Sequence, residues 1–249
     1  TGLPNRYLLN DRIRTAIGRA TRNQTTFTMV MMDIARFKQI NDTLCHHIGD
    51  QVLRETAKRL TQRQRMSDTL ARMGGDDFLL LLEDTCLDTG LALIRDNIQP
   101  LLQLPMVVDG TDISLRFHFG FAEFPGNGEC SETLVRRAEI ALYEAKVQPG
   151  KLSVYKNGRD ETHLRELAIA SDLDAAMLNG QLMMYYQPKV NLTTGDSRHA
   201  EALVRWQHPQ FGWLPPDEFI PILEQTGKIE KLTAWVINET ARQCSVWLK

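Results

Sequence analysis

Three aspartates stand out by where they fall in the chain. Asp33 closes a short apolar run, FTMVMMDI, and Asp76 and Asp77 follow a Gly74-Gly75 pair set between two further apolar runs. Carboxylates at the ends of buried strands suit a hard divalent cation, because Mg²⁺ takes one or two carboxylates and completes its shell with phosphate oxygens and water. Glycines at a turn let another group approach the backbone closely. Taken singly, each aspartate is simply a strand-end or turn residue; only their joint placement points to cation and phosphate chemistry. A second charged pair, Arg65-x-x-Asp68, precedes the glycines by five residues. An arginine fork binds phosphate or stacks on a base while a carboxylate accepts from that base, although a solvated charged turn has the same composition. His46 and His47 are adjacent and point in different directions on any regular element, so they make a poor metal pair. The four cysteines, Cys45, Cys86, Cys130 and Cys244, have no C-x-x-C spacing, which predicts reduced thiols in a cytoplasmic protein.

The elements that must hold these groups follow from periodicity. FTMVMMDI (27–34) is a continuous apolar run, which predicts a buried strand. TLARM (69–73) and DFLLLLED (77–84) are strand-like, and the two glycines between them signal a hairpin. Leu8, Leu9, Ile13, Ala16, Ile17 and Ala20 have helical spacing, predicting a helix over 5–22 with Pro4 near its start. A short helix is expected at 37–44, then a tight turn at Gly49 and an amphipathic helix from Gln51 to Gln62. Residues 88–103 read as helical, and 106–124 as two strands about Asp109-Gly110. A helix over 131–148 opens on a half-made capping box, Ser131 with Leu134 in place of the usual Glu, and KLSVYKNG closes with a short strand.

This order predicts an α+β domain over 1–158, with one mainly antiparallel sheet flanked by helices. A polar helix over 159–180 is expected to act as a linker. Beyond it, the strands LMMYYQPKV and HAEALVRW flank a turn at Thr194-Gly195-Asp196, and helical runs start at Pro216 and Ile229. Residues 181–249 thus suggest a β/α pattern, but a closed β/α barrel needs about 200 residues or more, so the segment is expected to be incomplete. Its apolar strands are expected to need cover.

Composition excludes several classes. Of 249 residues, 43% are hydrophobic and 24% charged, which is globular rather than disordered or fibrous. A net charge of −2 offers no global field for a nucleic acid polymer or an anionic membrane, so any phosphate is bound by a local site. Apolar runs fall far short of the ~18 residues of a membrane helix. The chain opens at Thr1 without a basic-then-apolar leader and reads as a piece of something longer.

The long ordered motifs TGLPNR, DIARFKQINDTLCHHIGDQVL, RMSDTLARMGGDDF and AEIALYEAK make residues 1–158 resemble the GGDEF family, the diguanylate cyclases of bacterial second-messenger signalling. The resemblance implies a palm-like domain that binds GTP with Mg²⁺ or Mn²⁺. In that family two domains face each other, and the 3′-hydroxyl of one GTP attacks the α-phosphate of the other to give cyclic di-GMP, so catalysis implies a homodimer. By this likeness Asp33, Asp76 and Asp77 are the catalytic carboxylates, and Asp33, the Ile34 carbonyl and Asp76 hold metal. Asn41 and Asp50 match the pair that reads the guanine edge; the Phe37 backbone, Lys38 and Lys146 match groups that hold the phosphates. Arg65 and Asp68 match the family's product-inhibition motif.

The sequence also departs from the family. Asp77 replaces Glu in the signature, a side chain shorter by one methylene, about 1.5 Å. Cys45 stands where the family usually has Gly, His118 replaces a small residue, and Pro149-Gly150-Lys151 displaces a basic position after Lys146. A misplacement of about 1 Å can cost roughly 10²-fold in rate, so weak or absent turnover is expected beside nucleotide binding. The alternative is a domain that only senses GTP or cyclic di-GMP and regulates a following phosphodiesterase.

That following unit is similar to the opening of the EAL family, phosphodiesterases that linearise cyclic di-GMP. The likeness is carried by YYQPKVNLTTGD, AEALVRWQHP, GWLPPDEFIPILEQTG and VWLK. It implies Glu201 as a metal ligand and Gln187, Leu203 and Arg205 as ligand contacts, with the family's later motifs falling beyond Lys249.

Overall fold

The structure is a computed structural model, which describes residues 1–146, 152–197 and 199–248. It divides into two compact units, Thr1–Asp160 and Glu161–Lys249. The first unit opens with α1 (Arg6–Asn23), β1 (Phe27–Ile34), α2 (Phe37–Leu44) and α3 (His46–Thr61). It continues with β2 (Thr69–Gly74), β3 (Asp77–Leu82), α4 (Leu87–Leu93) and α5 (Gln99–Gln103), then β4 (Met106–Val108), β5 (Thr111–Ile113), β6 (Phe117–Phe124), α6 (Ser131–Ala145) and β7 (Leu152–Val154).

One sheet of order β2-β3-β1-β6-β7 organises this unit, with β1 antiparallel to both neighbours and only β7 parallel to β6. All eight residues of β1 are buried, as its unbroken apolar run requires. Strand alternation divides them between two cores: Val30, Met32 and Ile34 pack toward α3, whereas Phe27, Met29 and Met31 pack with Leu9 and Ile13 of α1 and Leu134 and Ala138 of α6. The same parity on β6 puts Phe117, Phe119 and Phe121 in the first core and Ala122 and Phe124 in the second. Gly120 shares the second face, and α6 crosses it so closely that a Cβ there would lie 2.1 Å from the Leu142 amide nitrogen.

Several local expectations change. Gly49 is not a turn: α3 starts at His46, and the chain reverses at Cys45. Gly49 is buried inside α3 because α2 lies against it, a Cβ there falling 1.9 Å from Asn41 Oδ1. The helix over 88–103 is interrupted by one π-helical stretch, Ile94–Ile98. Residues 106–124 form three strands, a small β4–β5 hairpin and then β6 in the main sheet. Cys130, not Ser131, caps α6; the Ser131 hydroxyl donates instead to Asn10 Oδ1 at 3.1 Å. Gln148 and the Pro149-Gly150-Lys151 departure lie outside the described residues.

The second unit begins within α7 (Arg159–Leu178) and adds β8 (Leu182–Lys189), β9 (His199–His208), β10 (Gly212–Leu214), α8 (Pro216–Gln225) and α9 (Ile229–Trp247). The strands make an antiparallel sheet of order β10-β9-β8. Rather than only connecting, α7 buries Ile169, Ala170, Leu173 and Ala176 in the same core as Leu182, Val204, Trp206 and Phe219. This supplies cover for one face of the sheet.

Candidate active site

Asp33 is the last but one residue of β1 and is 6% exposed. Its parity turns it to the α6 side of the sheet, and pairing with β6 sets it directly opposite His118. His118 Nδ1 lies 2.7 Å from Asp33 Oδ1, and Lys146, at the C-terminal end of α6, places Nζ 2.5 Å from Oδ2. Burial pushes the Asp33 carboxyl up, but the hydrogen bonds and charges of His118 and Lys146 outweigh burial and hold it below its ordinary value.

The glycine hairpin delivers the other two carboxylates. Gly74 and Gly75 take φ of +149° and +50°, which suits residues without a Cβ. Arg72 braces the turn, donating from Nε and Nη2 to the Gly75 carbonyl at 2.9 and 2.6 Å. The β1–β3 register pairs Met32 with Phe78, so one step further Asp77 comes beside Asp33. Burial first, then the Asp76 charge, raises Asp77 to about 6. Asp76 is raised as well, by burial and by the charge of Asp33, against hydrogen bonds from its own and the Ile34 backbone.

Asp33, the Ile34 carbonyl and Asp76 are hard oxygen donors of the kind Mg²⁺ takes. As folded, however, the set does not fit a cation, because both Asp33 oxygens are already engaged. Among the described residues no three acidic, histidine or cysteine side chains converge as a metal cage.

Beside Asp33 a cleft of about 760 Å³ opens between α2 and the start of β6. Arg36, Arg116, His118 and Lys146 line it, with Ile40 and Leu115 as apolar wall. Arg116, just before β6, and His118 alternate with Phe117 and Phe119, which enter the core, a period-2 pattern that the sequence carries. Of the other expected nucleotide contacts, Asn41 lies in the α2–α3 groove against Gly49 and the Phe37 ring, while Lys38 and Asp50 are exposed. Neither Asn41 nor Asp50 lines the cleft.

Arg65 and Asp68 line a separate cavity of about 250 Å³ together with Asp96 and Asn97. Asp68 is buried and its Oδ2 accepts the Arg65 backbone N–H at 3.0 Å, so the carboxylate also shapes its own loop.

In the second unit the β8–β9 register pairs Gln187 with Glu201, Tyr185 with Leu203 and Met183 with Arg205. Gln187, Glu201, Leu203 and Arg205 therefore share one face of the sheet, opposite the face where Val204 and Trp206 are buried. The Glu201 side chain is 53% exposed, with Lys189 Nζ at 3.5 Å. Arg205 lies over the Tyr185 ring at 5.8 Å.

Comparison with known proteins agrees with this division. Residues 1–151 match the family model described as diguanylate cyclase, GGDEF domain, and residues 170–249 match the EAL domain. The bifunctional diguanylate cyclase/cyclic di-GMP phosphodiesterase MucR of Pseudomonas aeruginosa is 36% identical over 249 residues, covering 100% of this chain and 36% of that protein. The cyclic di-GMP phosphodiesterase PdeR of Escherichia coli is 35% identical, covering 99% of this chain and 37% of that one. The chain thus spans little more than a third of the length of these relatives. Among solved structures, the GGDEF domain of YfiN (TpbB) from Pseudomonas aeruginosa superposes with a TM-score of 0.60 at 34% identity, over 62% of this chain and 98% of that one.

Proposed function

This chain belongs to the GGDEF family, with an EAL-family segment behind it, and from that premise we propose that its first unit is a guanine-nucleotide site of a cytoplasmic cyclic di-GMP signalling protein. The observation that carries the proposal is the cleft beside Asp33. Arg36, Arg116 and Lys146 bring three cationic side chains to one concavity next to the signature hairpin, which is what a polyphosphate tail requires. In this reading the guanine edge is met by Asn41 and Asp50 in the α2–α3 groove, and the tail runs past the Phe37 backbone and Lys38 into the cleft. Asp76 and Asp77 then flank the α-phosphate.

One cleft holds one nucleotide, so condensing two GTP into cyclic di-GMP needs two copies of this unit facing each other. Domains of both families generally use a divalent metal such as Mg²⁺ or Mn²⁺, which would supply charge neutralisation at the reacting phosphate. Arg65 and Asp68, with a cavity of their own, serve as a product site.

The engaged state of Asp33 favours a second reading for turnover, in which the unit binds nucleotide and condenses it poorly or not at all, acting as a sensor for the EAL portion. In the whole protein, Glu201, Gln187, Leu203 and Arg205 form one wall of a phosphodiesterase site on their shared sheet face.

Two measurements test this. Purified protein stripped of bound nucleotide is titrated with GTP by calorimetry, then incubated with GTP and Mg²⁺ or Mn²⁺ and its products separated. Binding that weakens about tenfold in Arg116→Ala, a charge-assisted contact being worth roughly 1.5–3 kcal/mol, supports the site; absent binding sinks it. Cyclic di-GMP that disappears in Asp76→Ala selects the cyclase over the sensor.

A further inference from the structure

We propose that His118 is a positioning residue that, with Lys146, occupies the two oxygens of Asp33, so that a divalent cation enters this cleft only by displacing His118 from Oδ1. The proposal deepens the nucleotide-site reading by assigning it an internal control, and it rests on that reading only in sharing the same cleft.

The geometry is built by the sheet. Asp33 and His118 are direct partners in the β1–β6 ladder, on the face toward α6, so their side chains stand side by side whatever their rotamers. The His118 ring is nearly buried, with 12% of its side chain exposed, and the Asp33 side chain is 8% exposed. In such surroundings a hydrogen bond to a carboxylate is stronger than in water and costly to break. With Nδ1 at 2.7 Å from one oxygen and Lys146 Nζ at 2.5 Å from the other, the carboxylate is answered by the protein's own donors on both sides. A small residue at position 118, as the resemblance leads one to expect, has no group that reaches Asp33. It leaves Oδ1 free for a cation.

The sign of the effect follows. Removing the His118 donor raises the free energy of the cation-free carboxylate but not of a cation-bound state in which that contact is already broken, so affinity for a cation rises. A hydrogen bond to a charged group accounts for at least about a tenfold change.

The test uses Mn²⁺ alone, without nucleotide, on the full chain. Free Mn²⁺ is measured by electron paramagnetic resonance against wild type, His118→Ser and His118→Gln, with thermal melts confirming that each variant is folded. His118→Ser is expected to bind Mn²⁺ about tenfold more tightly than wild type, with His118→Gln, which keeps an N–H donor, falling back toward wild type. Equal or weaker binding by folded His118→Ser, or no saturable binding in either protein, overturns the proposal. A second measurement needs no variant: the ¹⁵N signals of the His118 ring in wild type shift when Mg²⁺ is added, and unmoved signals at saturating Mg²⁺ overturn it too. Since GTP is absent throughout, a wild-type protein that binds no GTP would defeat the nucleotide reading without touching this result, and the reverse also holds.

Discussion

Asp33 in β1 and Glu201 in β9 are both carboxylates on sheet strands at positions that sequence motifs mark, and the fold treats them in opposite ways. Asp33 is 6% exposed, with Asp77 on one flank and His118 and Lys146 on its oxygens. Glu201 keeps 53% of its side chain in solvent and meets one lysine at 3.5 Å. Their hosts differ likewise. The first unit closes two cores around its sheet, whereas the second packs one face and leaves Glu201 on the other. Burial turns a carboxylate into a group that must find partners among neighbouring strands. Its availability for ligands is then set by residues far away in sequence. An exposed carboxylate keeps the freedom its motif announces.

The contrast should be starkest where β6 meets α6. Gly120→Val places a Cβ against backbone, 2.1 Å from Leu142 N and 2.4 Å from the Ala138 carbonyl oxygen, and neither can yield. Loss of more than about 3 kcal/mol is expected, read as collapse of the unfolding transition of the first unit in urea. The glycines of the second unit, Gly180, Gly195, Gly212 and Gly227, meet nothing within 4 Å, so none of them should show this steric effect.

Next in size comes Asp33→Ala, which strands His118 and Lys146 and is expected to cost about 2–4 kcal/mol by chemical denaturation. Because Asp33 is held below its ordinary value when folded, its contribution is complete above the unfolded carboxylate value near 3.9 and is lost as pH falls through the lower folded one. Asp33's own part of the stability gap between wild type and variant should therefore persist down to about pH 5 and be lost only below about pH 4, beneath a smaller change near pH 6 from Asp76 and Asp77, whose raised values the Asp33 charge helps to set. A gap that closes near neutrality would erase the distinction from Glu201.

Cys45→Gly works in the other direction. Cys45 adopts φ +74° and ψ 159°, a region nearly reserved for glycine, so the change is expected to stabilise the first unit by about 1–2 kcal/mol in thermal unfolding. Smallest of all is Glu201→Ala. Its ion pair with Lys189 is solvent-exposed, and a change beyond about 0.5 kcal/mol would show that the two carboxylates are more alike than their surroundings suggest.

The strands were legible because their signal is local. FTMVMMDI is continuous and apolar, and it became a strand buried along its whole length. Asp33 and the hairpin aspartates could be named from position alone. What could not be read was register. His118 is 85 residues from Asp33, and only the β1–β6 ladder brings them together. The substitution was visible as a departure, but its contact was not. Gly49 reads as a turn for a related reason: an isolated glycine next to an aspartate is a local turn signal, yet here it is the spot where α2 touches α3. Ser131 reads locally as the start of a half-made capping box, but its hydroxyl donates to Asn10 of α1 instead. The period-2 spacing of Arg116 and His118, by contrast, is legible in the sequence alone.

Gly120 has a mechanical consequence. With no side chain between them, β6 and α6 are in backbone contact, and the two partners of Asp33 ride on that joint: His118 two residues before Gly120, Lys146 at the far end of α6. A force that slides α6 along the sheet carries Lys146 with it and leaves His118 in the β1–β6 ladder beside Asp33. The two halves of the grip on Asp33 thus answer to different elements, one to the helix and one to the sheet, and a shift of α6 loosens the first without the second.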